Sequence, residues 1–184
     1  MTTANIQRVA YASALWIKKQ DSQNPSVVIG HDCRFAGDLF AETTARVMAA
    51  EGIQVWLGTH FASTPMVSLA VTEYQATAGV VITASHNPPD YNGFKLKAAY
   101  GGPAIPGMIA EVEDLVPATY SGAPATLETY QEQEQVSLVD LETLYVQHAE
   151  AHFDLEAIRH SGQQFAFDAM YGAGQNVIKR LLPN

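Results

Sequence analysis

Three short runs, SVVIG at 26–30, IQVWLG at 53–58 and GVVIT at 79–83, are largely apolar rather than alternating. A strand with one face in water alternates, whereas a continuous apolar run of this length fits a strand buried on both faces. Helical spacing fills the intervals. Residues 4–20 place Ile6, Val9, Ala10, Ser13 and Ile17 on one side, and 37–51 do so with Phe40, Thr44 and Val47. Thr64-Pro65 reads as a third helix start, a capping hydroxyl followed by proline at the first helical position. Alternation of this kind predicts a mostly parallel sheet covered by helices on both faces, a three-layer α/β/α sandwich. Ligands of such sheets gather beyond the carboxyl ends of the strands. His31-Asp32-Cys33-Arg34 and Ser85-His86-Asn87 both fall there.

Further along, 93–99 reads as a short strand whose direction the sequence leaves open, and 106–116 as a helix. Residues 117–135, rich in Pro, Thr, Ser, Gln and Glu, read as a surface crossing. A helix is expected over 141–151, with an extension to Arg159 left open, then a fresh apolar strand at 164–170 (QFAFDAM), a YGAG turn and a helix start. The division expected is a first domain over 1–140, and a connecting helix with the opening of an incomplete second α/β unit over 141–184.

Composition narrows the function. Net charge is −9 and the ten basic residues form no dense run, which argues against a nucleic-acid partner. A few well-placed cations can still hold a small anion. Cys33 is the only cysteine, so neither an intrachain disulfide nor a cysteine-based zinc site is expected. No run reaches membrane-spanning length, and the N-terminal residues lack the basic and apolar regions of a secretory signal. The expectation is a cytoplasmic protein with no membrane partner, monomeric or weakly homo-oligomeric.

The stretch VVITASHNPPDYNGFKLK (80–97) carries more than a sheet needs. A serine just past a buried strand stands on rigid scaffolding at the ligand edge. Asn87-Pro88-Pro89 stops the strand and stiffens the turn. Such a turn presents N–H groups to an anion, and Lys95 and Lys97, one residue apart on a strand, point the same way, either both toward the site, adding charge, or both toward solvent. A hydroxyl beside cations and amides suits phosphoryl transfer. A Ser-His-Asp hydrolase fits poorly, because adjacent side chains diverge and the Gly-x-Ser-x-Gly elbow is missing. The plainer alternative is a polar surface loop.

GVVITASHNPPDYNG (79–93) resembles the phosphoserine signature of the α-D-phosphohexomutases, the phosphoglucomutase/phosphomannomutase family. That pattern has a small residue, an aliphatic strand, Thr-Ala-Ser-His-Asn-Pro and a glycine five residues beyond the proline. VVIGHDCRF resembles the family's earlier Asp-x-Arg loop, and FDAMYGAG the start of its second domain. The resemblance implies that Ser85 carries the phosphoryl group and exchanges it with a sugar monophosphate through a bound bisphosphate, interconverting 1-phospho and 6-phospho sugars. It implies Lys95 in proton transfer, His86 beside the serine, and Arg34 and Asn87 in binding substrate phosphate. It also implies Mg²⁺ held partly through the phosphate on Ser85, glucose 1,6-bisphosphate as activator, and a phosphorylated hexose as partner.

Several family loops have no counterpart here: the Asp-Gly-Asp-x-Asp-Arg metal loop, the sugar-reading Gly-Glu-x-Ser-Gly loop and the Arg-x-Ser-Gly-Thr phosphate loop. The Gly-Thr-Ser-Gly-x-Arg segment is likewise missing before Thr2. The resemblance therefore implies a fragment opening within the family's first helical region, inactive by itself. Its rival is a non-catalytic module that binds phosphate or a partner. His148 and His152 stand four apart on a predicted helix, as zinc ligands can, although a solvated helix face explains them more simply.

Overall fold

The computed structural model describes residues 1–183. Its helices are α1 (Thr3–Gln20), α2 (Gly37–Ala50), α3 (Thr64–Glu73), α4 (Pro106–Glu113), α5 (Leu127–Glu132), α6 (Leu141–His152), α7 (Leu155–Arg159) and α8 (Val177–Leu181). Its strands are β1 (Ser26–His31), β2 (Gln54–Gly58), β3 (Ala78–Ile82), β4 (Phe94–Ala98) and β5 (Val136–Val139), in spatial order β4-β3-β1-β2-β5. Among the strand pairs of the described residues, β3–β4 alone is antiparallel. None of the described helices is long and apolar enough to cross a membrane.

The continuous apolar runs are explained by two separate cores. Val27 and Ile29 of β1 face one core with Ile6, Trp16 and Met48, on the side of α1 and α2. Val28 faces the other, with Met66 and Val67 of α3 and Val146 of α6. Strands β1, β2 and β3 thus alternate between two apolar layers. Trp16, almost wholly buried, donates its indole N–H to Glu111 of α4 at 2.9 Å, which satisfies the polar atom and ties α4 to α1.

Three expectations change. The crossing at 117–135 contains α5, capped by the Thr126 hydroxyl and anchored by buried Tyr130, whose hydroxyl accepts the Ala125 N–H. It leads into β5, an edge strand parallel to β2. Second, 164–170 forms no strand. Among the described residues it finds no ladder partner, and Phe165 and Phe167 stay more than half exposed. An apolar run becomes a strand only where another supplies the hydrogen bonds. Third, α3 is capped by Ser63 rather than Thr64, with Pro65 inside the first turn. The helix opened at 141 also breaks at Phe153, where Asp154 caps α7 anew by accepting the Ala157 N–H.

Strand β4 separates the two lysines. Lys97 pairs across from Gly79 and is buried, while Lys95 pairs across from Val81, nearer the carboxyl end of β3, and is exposed. Gly79 makes the room: a Cβ there would lie 3.2 Å from the Lys97 Cβ and 2.5 Å from Val71 Cγ2. Burial, and then the charge of Lys95, hold the Lys97 ammonium below its ordinary pKa of 10.5. The folded state therefore binds this proton more weakly than the unfolded chain does. Its cost to stability is present at neutral pH and is relieved as pH rises through the lowered folded value toward 10.5. Lys97→Met is expected to raise the thermal midpoint at pH 7, by an amount that shrinks as pH approaches 10.5. Melting curves of both chains across that range test it; a pH-independent gain, or a loss, would contradict it.

Candidate functional site

Parallel pairing of β1 with β3 sets His31 opposite Ile82, so the chain leaves both strands at one level. The Asp32 N–H donates to the Ile82 carbonyl at 3.1 Å, carrying the contact one residue past the sheet. Asp32 then organises both departing loops. One carboxylate oxygen accepts the Arg34 backbone N–H at 3.0 Å. The other accepts the Thr83 hydroxyl in a short hydrogen bond of 2.5 Å and lies 3.4 Å from Arg34 Nε. Thr83 Oγ1 in turn accepts the Ser85 N–H at 3.0 Å. A line of polar contacts thus runs from the end of β1 to the backbone of Ser85.

Ser85 stands in the left-handed region, φ +59°. A non-glycine residue held there costs roughly 1–3 kcal/mol unless its surroundings enforce it. Here they do. Beyond the Thr83 contact, the Asn87 N–H closes a turn on the Ala84 carbonyl at 3.1 Å, and the Tyr91 N–H closes another on Pro88 at the same distance. The loop returns to the sheet at Gly93, whose carbonyl accepts the Thr83 N–H at 3.0 Å. A Cβ on Gly93 would sit 2.7 Å from the Thr83 carbonyl oxygen, so the close approach requires glycine. Asn92 joins the loops once more, donating its side-chain N–H to the Phe35 carbonyl at 3.2 Å.

Arg34 makes the densest set of contacts. One terminal nitrogen donates to the Pro88 and Tyr91 carbonyls at 2.9 and 3.1 Å, the other to Ser85 and Asn87 at 2.7 and 2.6 Å. Its side chain is only 14% exposed.

Of the residues singled out from sequence, Arg34, Ser85, His86, Asn87 and Lys95 all lie on or beside this loop pair. A cleft of about 560 Å³ is bordered by Asp32, Arg34, Thr64, Ser85 and Asn87. It lies where β1, β3 and the N-terminal end of α3 meet, and Gly172 and Ala173 close one side. A shallower depression joins Ser85 and His86 to Lys95. Lys95 enters no ion pair among the described residues, so its charge is open to a ligand. The Ser85 hydroxyl stands 3.4 Å from His86 Nδ1, a long contact that a neighbour in sequence makes without special placement.

Asp32, Thr83 and Asn92 lie inside the motifs read from sequence, but none is given a role of its own in the site. Their signal is present but faint: a carboxylate two residues before Arg34, and a hydroxyl two before Ser85. Among the described residues, no group of three or more His, Cys, Asp or Glu side chains is arranged to hold a metal. Asp32, the carboxylate beside Ser85, is already engaged by Thr83 and Arg34 and does not fit as a free Mg²⁺ ligand. His148 and His152 stack on α6 with ring centroids 4.0 Å apart, and His148 faces Glu73 of α3 at 3.7 Å.

With that geometry in hand, the likeness to known proteins is specific. The family model for phosphoglucomutase/phosphomannomutase, alpha/beta/alpha domain I, matches residues 1–122. A phosphoglucomutase of Staphylococcus haemolyticus is 31% identical over 179 residues, which cover 96% of this chain and 32% of the relative. A phosphoglucomutase/phosphomannomutase of Thermococcus kodakarensis is 28% identical over 175 residues, 95% of this chain and 37% of the relative. Among solved structures, one described as a phosphomannomutase from Thermus thermophilus superposes with a TM-score of 0.88 at 33% identity. That match covers 99% of this chain and 39% of the other. The chain thus spans about a third of the length of these relatives. It shares the α/β fold of the Thermus thermophilus structure, and it belongs to the phosphoglucomutase/phosphomannomutase family, whose α/β/α domain I it carries.

Proposed function

We propose that this chain is the serine-bearing part of a phosphohexomutase, which interconverts sugar 1-phosphates and 6-phosphates through a phosphoserine at Ser85. The observation that carries the reading is the Ser85 loop: a hydroxyl at the carboxyl end of a central parallel strand, on a backbone already fixed, opening on a cleft. Nucleophile positioning is most of what a protein contributes to phosphoryl transfer, since the phosphoryl group itself needs little covalent help.

In the proposed step the serine O–P bond breaks and a bond forms between phosphorus and a hydroxyl oxygen of a sugar monophosphate. The hydroxyl proton passes to a base, for which Lys95 as the free amine is the proposed group, and the leaving Ser85 oxygen takes up a proton in turn. The bisphosphate then turns over, and its other phosphate returns to Ser85. Asn87 and the loop N–H groups are proposed to meet substrate phosphate; the His86 N–H donates to no group among the described residues. Mg²⁺, when bound, would spread phosphoryl charge, held through the phosphate on Ser85 and by ligands outside the described residues. Glucose 1,6-bisphosphate is the proposed activator. Relatives carry both phosphoglucomutase and phosphomannomutase names, and the proposal extends to a phosphorylated hexose without choosing the sugar.

Two measurements test the proposal on the protein at its natural length, purified from its own cells. After incubation with glucose 1,6-bisphosphate and Mg²⁺, peptide mass spectrometry should locate phosphate on Ser85; phosphate confined to Ser63 or Thr83 would overturn the assignment. Lys95→Ala should lower kcat by about 10²-fold or more, the usual scale for a lost proton-transfer group. Lys97→Ala should act mainly on stability, since Lys97 lies farther from the carboxyl end of β3. Equal, mild effects on turnover would remove the special role of Lys95.

A further inference from the structure

We propose that Arg34 is a positioning residue: it holds the Ser85 loop in its reactive shape through the loop's own carbonyl groups, and is not a ligand of substrate phosphate. The catalytic half of this proposal rests on the phosphotransfer reading above; the structural half does not.

Four carbonyl oxygens, from Ser85, Asn87, Pro88 and Tyr91, converge on one guanidinium. Left alone, oxygens aimed at a common point repel one another, and the loop would splay or fill with water. Each terminal nitrogen of Arg34 donates to two of them, and Nε lies 3.4 Å from the Asp32 carboxylate in an ion-pair contact. Both terminal nitrogens are therefore committed to the protein, and the side chain is mostly covered. A guanidinium so committed has no fork left for a phosphate. Lys95, exposed in the neighbouring depression and in no ion pair among the described residues, remains accessible to a ligand.

The contacts also account for the unusual backbone of Ser85. Its N–H is held by Thr83 and its carbonyl by Arg34, so both peptide units flanking the residue are fixed, and φ +59° follows from the two anchors together. Asp32 sets both anchors, through the Thr83 hydroxyl on one side and Arg34 on the other. Turning the carbonyls inward leaves the opposite edge of the loop, including the His86 N–H, free to meet a ligand. A charge alone cannot replace this arrangement. Lysine offers three donors from one point and cannot span four carbonyls spread along seven residues of loop.

The test compares wild type, Arg34→Lys and Arg34→Ala. In the 184-residue chain, amide hydrogen exchange at Ser85 and Asn87 should quicken by at least about tenfold in both variants, because charge without the planar fork does not suffice. The Val28 amide in β1 should keep its protection, showing that the sheet is intact. Added guanidinium should restore protection in Arg34→Ala, and added ammonium should not. In the natural-length protein, Arg34→Lys should lower kcat by about 10²-fold, the scale of a small misplacement of the reacting group, with KM nearly unchanged. Unaltered exchange at Ser85 and Asn87 would overturn the proposal, as would a raised KM with kcat intact, the pattern of a lost phosphate ligand. Loss of Val28 protection would overturn it too, by making Arg34 a support of the whole sheet. If exchange responds as expected while the wild-type protein transfers no phosphate, the loop clamp stands and the mutase reading falls.

Discussion

The contact on which the rest depends is the parallel pairing of β1 with β3. Five matched residues, ending with His31 across from Ile82, bring two loops far apart in sequence to the same height above the sheet. From there Asp32 can reach Thr83, and Arg34 can reach four carbonyls of the 85–91 segment. A shift of that register by one residue would turn every side chain to the opposite core and separate the loops. Because Val27 and Ile29 face one apolar layer and Val28 the other, such a shift is resisted along the whole strand. The precision of the loop pair is thus inherited from burial below it.

Charge is sorted around Ser85 according to what each cation can still do. Arg34 is spent on backbone carbonyls and a carboxylate. Lys97 is drawn into the space left by Gly79, where desolvation weakens its hold on a proton. Lys95, two residues earlier on the same strand face, is exposed beside the serine. The difference between the two lysines arises from direction: β4 runs antiparallel, so its earlier residues lie at the carboxyl edge of β3 and its later ones deeper along the sheet.

Much of this was legible in the sequence, and the remainder fails for identifiable reasons. Continuous apolar strands gave the buried sheet, and TASHNP located the loop, because both signals are local. The edge strand β5 and helix α5 were hidden by a polar crossing: only Tyr130 and Val136 are buried there, too few to impose a period. The run at 164–170 carries the opposite lesson, since hydrophobicity reports a wish for burial and not a hydrogen-bonding partner. Arg34 was visible as a residue, but where its guanidinium goes depends on which strands are neighbours. Strand order is a property of the whole sheet that no motif prints. The pairing of Asp32 with Thr83 was missed for the same reason, since the two are fifty-one residues apart and meaningful only together.

The central claim is that the Ser85 loop is set before any ligand arrives, by contacts within the chain. The most direct measurement is the backbone φ of Ser85 in the ligand-free 184-residue chain, obtained by NMR from couplings that distinguish positive from negative φ. The account predicts a value close to +59°, unchanged when inorganic phosphate is added. An extended Ser85 in the free chain, turning left-handed only with phosphate present, would show that the ligand and not the protein shapes the loop, and would contradict it.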